Sequence, residues 1–335
     1  MTGGAFAQSP QELHAAVRER GLFARDRPVV AMISGGRDST CLLDVAVALL
    51  GAEAVQALHV NYGLREQSGE DERRCAALCA SLGAELRVVH AGPAPASGNL
   101  QAWARELRYA EAERMAVERD GLIATGHTAS DQVETILYRL AASPGRRALL
   151  GMPEAEGRLI RPLLGVWREQ TSAYCAARGL AFVEDASNQD PRFARTRVRN
   201  ELLSALRAVH PAAQENVLRT AALLREETEL LEGLVDAELQ GRDRIELARL
   251  RELPSALARM VVVRLAEQAA GTFVPQAGGR LSELLELGRR GGRAELHLGG
   301  RAGAVIEDGV LRMVRLPPRE DRGPSGGAGA PPGGD

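Results

Sequence analysis

Between Pro28 and about Ala142, short apolar runs alternate with longer segments in which apolar side chains return every three or four positions. Val29–Ile33, Val55–Val60, Leu86–Val89 and Leu122–Thr125 are each too short for a helix, and helical periodicity follows each one after a loop. This predicts buried strands in repeated βαβ units, an α/β fold with a doubly wound parallel sheet. Ligands of such sheets bind beyond the carboxyl ends of the strands, so the residues just after each run are where chemistry is expected. Residues 1–27 read as a helical lead-in. Past Pro144 the alternation gives way to a Gly-, Pro- and Arg-containing stretch through Pro162, and a helix is expected again over Val166–Arg178, so the first domain is placed at 28–211. A long acidic, leucine-bearing pattern from about Ala212 to Leu239 predicts a connecting helix (212–240). Two helical patterns with short strand-like pieces, such as Ala294–Leu298, predict a small C-terminal α/β or α+β domain over 241–316. The Pro/Gly/Ser tail, 317–335, is too poor in apolar residues to fold.

Length and charge narrow the classes. A chain of 335 residues is expected to form about two domains, and a net charge of −2 argues against a globally basic polymer binder, so any nucleic-acid contact must be a local patch. All 42 basic residues are arginine, which excludes a lysine Schiff base and a Walker-type lysine. The general richness in Ala, Gly and Arg accounts for that bias. The four cysteines, Cys41, Cys75, Cys79 and Cys175, form no C-x-x-C pair and are expected to be reduced and buried, with Cys75 and Cys79 sharing a helix face. No leader pattern and no run of about 18 apolar residues is present, so a soluble, cytoplasmic protein with no membrane contact is expected.

The most informative segment is Ser34-Gly35-Gly36-Arg37-Asp38-Ser39-Thr40, between the first strand and the helix that carries Leu42, Leu43, Val45 and Val47. Paired glycines let backbone approach a polyanion, and the helix start adds amide donors and a positive dipole end. Ser34, Ser39 and Thr40 can add hydroxyls. A carboxylate here, Asp38, repels phosphate unless a divalent cation intervenes, for which Mg²⁺ is the candidate. The alternative is a plain glycine turn with an aspartate cap. The segment fits neither G-x-x-x-x-G-K-[ST] nor G-x-G-x-x-G. It is similar to the S-G-G-x-D-S loop of PP-loop ATP pyrophosphatases, a resemblance that implies ATP as substrate and AMP transfer to an acceptor.

Four further stretches resemble the tRNA(Ile)-lysidine synthase family, and together they cover about residues 29–207. The first is His59-Val60-Asn61-Tyr62-Gly63-Leu64-Arg65, where the family usually has histidine at position 62; the resemblance puts His59 at the nucleotide, while a satisfied core histidine is equally open. The second, Ala104-Arg105-Glu106-Leu107-Arg108-Tyr109, sets Arg105 and Arg108 on one helix face, able to neutralise charge on an α-phosphate or simply to face solvent. The third, Ala124 to Thr135, contains His127, Asp131, Gln132 and Glu134. Asp131 and Glu134 lie three apart at a helix start, where they can hold the ammonium of a lysine substrate and accept its proton, or merely cap the helix. Thr128 and Ser130 stand where the family has a second histidine and a further aspartate. The fourth is Asp185-Ala186-Ser187-Asn188-Gln189-Asp190 with Phe193, Arg195, Arg197 and Arg199, a local basic stripe suited to RNA phosphates.

The resemblance implies a defined reaction. The wobble cytidine of the CAU anticodon of tRNA(Ile) is adenylated by ATP with Mg²⁺, and free L-lysine then displaces AMP to give lysidine. It assigns Asp38, Arg105, Arg108, His127, Asp131 and Glu134 to catalysis, with Asp38 also holding the metal. Residues 34–40 and His59 would bind ATP, Asp131 and Glu134 lysine, and Asn188, Arg195, Arg197 and Arg199 the tRNA, helped by the C-terminal domain. A homodimer stays open. Two other readings stand beside it: a PP-loop tRNA thiolase, which would generally need paired cysteines, and a non-catalytic nucleotide-sensing RNA-binding protein.

Overall fold

A computed structural model describes residues 9–24, 26–64, 68–95, 98–143, 145–183 and 194–317. The chain divides into two compact units, Met1–Leu224 and Arg225–Asp335.

The first unit begins with helix α1 (Pro10–Glu19), closed by a Ser9/Glu12 capping box. It continues through β1 (Val29–Met32), α2 (Arg37–Leu50), β2 (Val55–Asn61), α3 (Ser68–Leu82), β3 (Glu85–His90), α4 (Leu100–Glu118), β4 (Leu122–Ala124) and α5 (Ala129–Ala142). There follow α6 (Arg146–Leu149), the two-residue strands β5 (Ala155–Glu156) and β6 (Leu159–Ile160), and α7 (Arg168–Arg178). A helical run over 194–209 comprises α8 (Ala194–Arg197), a π-helical turn (Val198–Leu202) and α9 (Leu203–Val209).

The sheet order is β3-β2-β1-β4-β6-β5, parallel throughout except for β5. The four apolar runs form β1, β2, β3 and β4; β1, β2 and β4 lie inside the sheet, whereas β3 is its edge, and the burial expected of every run fails there, since none of its residues is buried. The continuous apolarity of β1 and β4 and the burial of β2 follow from cover on both faces, while edge strand β3 carries Glu85, Arg87 and His90. Val29, Ala31 and Ile33 pack with residues of α2, α3 and α7, whereas Val30 and Met32 pack with Ala112, Met115 and Ala116 of α4. Chain order reverses between β1 and β4, whose carboxyl ends therefore open onto one crevice.

Helix α10 (Ala213–Leu239) contains the division between the units. The second unit continues with β7 (Arg244–Glu246), α11 (Leu247–Glu252), α12 (Ser255–Ala270), α13 (Leu281–Arg289), β8 (Ala294–Gly299), β9 (Ala302–Glu307) and β10 (Val310–Arg315). Its sheet is antiparallel, in the order β7-β10-β9-β8. Val261, Val262 and Leu265 of α12 share its core with Leu311 and Met313, so this unit has an apolar centre of its own. Among the described residues, no helix is long and apolar enough to cross a membrane.

Candidate functional site

The turn after β1 is built from backbone and short side chains. Gly35 has φ +79°, a left-handed conformation that favours glycine, and its carbonyl accepts from the Val183 amide at 3.0 Å. Gly36 is the N-cap of α2 with no side-chain cap. Buried Ser39 is spent inside the turn: its hydroxyl donates to the Gly36 carbonyl (2.8 Å) and accepts from the Ser34 amide (3.2 Å). Thr40 is buried, and Ser34 is exposed. His59 lies buried beneath the turn, with Nδ1 3.2 Å from the Ile33 carbonyl and 3.5 Å from Cys75 Sγ. Through Nδ1, His59 braces the end of β1 that leads into the turn.

Asp38, in the first turn of α2, is held by two elements. Its Oδ1 accepts from Arg37 Nε (3.1 Å) and from the Thr171 hydroxyl of α7 (2.5 Å), while Arg37 also reaches Ser172 (3.1 Å). From the other side comes Gly126, just past β4. A Cβ on Gly126 would sit 2.9 Å from the Asp38 carbonyl oxygen and 3.1 Å from the Ser39 amide nitrogen, both rigid backbone atoms. Gly126→Ala is therefore expected to cost about 1–3 kcal/mol through forced separation of the two loops. Thermal melting would check this, and an unchanged melting temperature would show that the loops part freely.

At the start of α5, Thr128 is the N-cap: its hydroxyl accepts from the Asp131 amide (3.3 Å), and the Asp131 Oδ2 accepts from the Thr128 amide and hydroxyl (2.8 and 2.7 Å). Asp131 thus caps its helix with one oxygen and leaves Oδ1 to Arg168 Nη2 at 2.9 Å. Glu134, only 3% exposed, accepts from Arg168 Nη1 (3.1 Å) and bidentately from Arg199 (2.6 and 2.9 Å). Both acids do face one pocket, and two guanidinium groups already fill it. Burial pushes the Asp131 carboxyl up, but Arg168, the Thr128 hydrogen bonds and His127 outweigh it and hold it below the usual range. Burial likewise disfavours charge on Arg168, and Asp131, Glu134 and Asp38 more than compensate. Ser130 accepts from the Arg168 amide (3.2 Å) and so ties α7 to α5, while Gln132 is an anchor, bonded both ways to the Met152 backbone (2.8 and 2.7 Å).

His127 feels Asp131 on one hand and Arg161, Arg105 and Arg108 on the other, with Nδ1 2.8 Å from the Thr125 hydroxyl. Burial lowers its pKa to about 4; Asp131 opposes this, and Arg161, Arg105 and Arg108 reinforce it. The imidazole is neutral at pH 7. The unfolded chain takes up a proton near the ordinary value of 6.5 and the folded one resists it, so this residue's contribution to stability is complete above about pH 6.5 and falls as pH drops toward 4. As pH falls through that window the native chain should lose melting temperature relative to His127→Gln; a difference independent of pH would place the titration elsewhere.

Arg105 and Arg108 of α4 both approach the Tyr109 ring, at 4.5 and 5.8 Å. The Nε of Arg108 and of Arg161 and the Tyr109 hydroxyl are buried without a hydrogen-bond partner among the described residues. Arg195 and Arg197 are exposed on α8. Arg199 points away from that stripe, to Glu134. Asn188 lies outside the described residues. Arg168, which no local pattern marks, thus binds Asp131 and Glu134 and comes within 3.9 Å of Asp38 of the glycine turn, while Arg199 shares Glu134 with it. Thr171, Ser172 and Arg161 were equally silent in the sequence. Among the described residues no cluster of three or more His, Cys, Asp or Glu could by itself hold a metal.

A glycine turn into a helix N-terminus at the switch point of a parallel sheet is the arrangement of a nucleotide-binding α/β domain, and the PP-loop domain family model matches residues 7–206. The chain is 41% identical over 214 residues to a tRNA(Ile)-lysidine synthase of Pseudomonas aeruginosa, covering 62% of this chain and 48% of that protein. It is 36% identical over 275 residues to one of Gloeobacter violaceus, covering 75% and 83%. The chain belongs to the tRNA(Ile)-lysidine synthase family. The matches cover 48% and 57% of two Pseudomonas relatives, so the chain spans about half of their length. Among solved structures it is similar in fold to the U34-tRNA thiolase NcsA of Methanococcus maripaludis, with a TM-score of 0.52, 18% identity, and 64% and 78% of the chains covered.

Proposed function

We propose that the protein makes lysidine: it adenylates the wobble cytidine of the CAU anticodon of tRNA(Ile) with ATP and then uses free L-lysine to displace AMP. The observation that supports this most is the meeting of the glycine turn, Asp38 and the Asp131/Glu134 pair at one crevice, in a chain 41% identical to a tRNA(Ile)-lysidine synthase over 214 residues. The amides of the turn would bind the triphosphate. Mg²⁺ commonly takes one or two carboxylates plus phosphate oxygens and water, so the lone Asp38 suits it; when bound, the ion supplies positive charge against the phosphates. Arg105 and Arg108 would neutralise the charge that builds on the α-phosphate, and the neutral imidazole of His127 would donate a hydrogen bond there.

Asp131 and Glu134 would receive the lysine ε-ammonium and take its proton before attack on C2 of the base. To admit it, one resident guanidinium must turn aside. Arg199 is the candidate, because its side chain is 32% exposed against 20% for Arg168, and a released Arg199 could join Arg195, Arg197 and Asn188 on tRNA phosphates. The thiolase reading is weaker. Burial pushes the Cys75 and Cys79 thiols up to about 12 and about 11, and Cys41 and Cys175 are buried as well, so no reactive thiolate is offered.

Incubation with ATP, Mg²⁺, L-lysine and tRNA(Ile), followed by mass analysis of the anticodon nucleoside, tests the proposal. A mass gain matching lysine attachment is expected. Pyrophosphate release with no such gain would point to another acceptor, and no ATP–pyrophosphate exchange at all would favour a non-catalytic sensor.

A further inference from the structure

The carboxylate of Asp38 is not used symmetrically. Oδ1 accepts from both Arg37 Nε and the Thr171 hydroxyl, at 3.1 and 2.5 Å. The contact found for Oδ2 is Arg168 Nε at 3.9 Å, beyond hydrogen-bond range. Oδ1 carries two protein donors, and among the described residues Oδ2 has no hydrogen bond. Thr171 is completely buried and comes from a helix 133 positions further along the chain, so its hydroxyl meets Asp38 only because α7 is laid along α2. That placement is secured at several points. Cys175 Sγ lies 3.7 Å from the Arg37 carbonyl, Arg37 reaches Ser172, and buried Asp44 of α2 binds Tyr174 (2.5 Å) and Arg178 (2.9 and 3.1 Å) of α7.

We infer that Thr171 is a positioning residue: its hydroxyl fixes the rotamer of Asp38 so that Oδ2 is presented to the divalent cation of a bound ATP complex. This rests on the proposed use of ATP. A carboxylate that rotated freely would lose part of its affinity to the entropy of being fixed on binding, and an oxygen already bonded by two donors is a poor metal ligand. The Thr171 hydroxyl has a single proton; although the Arg168 carbonyl is also 2.9 Å away, the shorter contact to a charged acceptor takes it.

The test is the Mg²⁺ concentration needed for half-maximal ATP binding, followed by the fluorescence of a nucleotide analogue without tRNA or turnover. In Thr171→Val, isosteric but without the hydroxyl, and in Thr171→Ala, the midpoint is expected to rise about tenfold, in line with the loss of one hydrogen bond to a charged group. ATP binding at saturating Mg²⁺ should stay within about twofold, and Thr171→Ser should return the midpoint close to that of the native chain. A native midpoint in both Val and Ala variants would overturn the inference, as would a serine variant no better than valine. So would collapse of the melting transition in both, which would make Thr171 a packing residue. A native chain that binds no ATP at any Mg²⁺ concentration would instead remove the proposed function, and this inference with it.

Discussion

Replacing Asp38 with Asn is expected to reduce ATP-dependent pyrophosphate release by a factor on the order of 10²–10³, equivalent to about 3–4 kcal/mol of lost electrostatic stabilisation. The amide keeps the size of the carboxylate and one carbonyl acceptor for the Thr171 hydroxyl, so the packing of α7 on α2 should survive. What disappears is the negative charge proposed to hold a divalent cation at the turn. Arg37 also loses its ionic partner but keeps its bond to Ser172, and neither member of that pair is as buried as Glu134, so the loss of stability should stay below that of Arg168→Ala. Pyrophosphate release measured alongside a melting curve separates chemistry from folding. An Asn variant retaining more than a tenth of native activity would take Asp38 out of the metal-binding role. The contrast with Thr171 is quantitative, since loss of the hydroxyl should be rescued by raised Mg²⁺ and loss of the carboxylate should not.

Arg168→Ala is expected to have the largest effect on the folded state. Its guanidinium lies between Asp131 (2.9 Å) and Glu134 (3.1 Å), and the Glu134 side chain is 4% exposed. Removing it leaves two carboxylates of like charge in a pocket where Arg199 bonds only Glu134, its distance to Asp131 being 4.0 Å. Breaking a buried pair by deleting one partner costs about 3–5 kcal/mol, and the 20% exposure of Arg168 places this case near the lower end. A fall in melting temperature of about 6–12 °C follows for a unit of this size. Arg168→Lys should recover only part of it, because an ammonium cannot span two carboxylates as a planar fork does. The variant should also move the acid limb of the activity profile upward, since Arg168 is the strongest influence holding the Asp131 carboxyl down. A melting temperature unchanged in Arg168→Ala would mean that solvent screens the pocket and that the ionic network contributes little.

These effects bear on how the acid pair can be probed. Read from the sequence, Glu134→Gln looks like a simple test of lysine recognition. In the folded chain the same change leaves Arg168 and Arg199 without much of their counter-charge, so lost lysine use would mix binding with local collapse. Arg199→Gln is the cleaner variant, because Arg168 still bridges both acids after it.

Much of the architecture was legible along the chain. β1, β2 and β4 could be read because burial on both faces keeps them apolar, edge strand β3 could be read from its short Val88-Val89 run although none of its residues is buried, and the α2 start could be read because Gly35 and Gly36 directly after an apolar run are a local signal. The strands β5 and β6, two residues each, carry no period to detect. Thr128 and Ser130 showed in the sequence only as departures from the family pattern. In the structure, one caps α5 and the other bonds the start of α7.

Local order in this protein was therefore decided by the sequence itself: strands, helices and the left-handed glycine of the phosphate turn depend on residues adjacent in the chain, whose sterics and periodicity act at short range. Tertiary structure alone decided which charges meet. Arg168 and Arg199 lie 34 and 65 positions beyond Glu134, and Thr171 lies 133 beyond Asp38. Coulombic and hydrogen-bond energies depend on distance and burial in space, and neither is written in the spacing of residues along a chain.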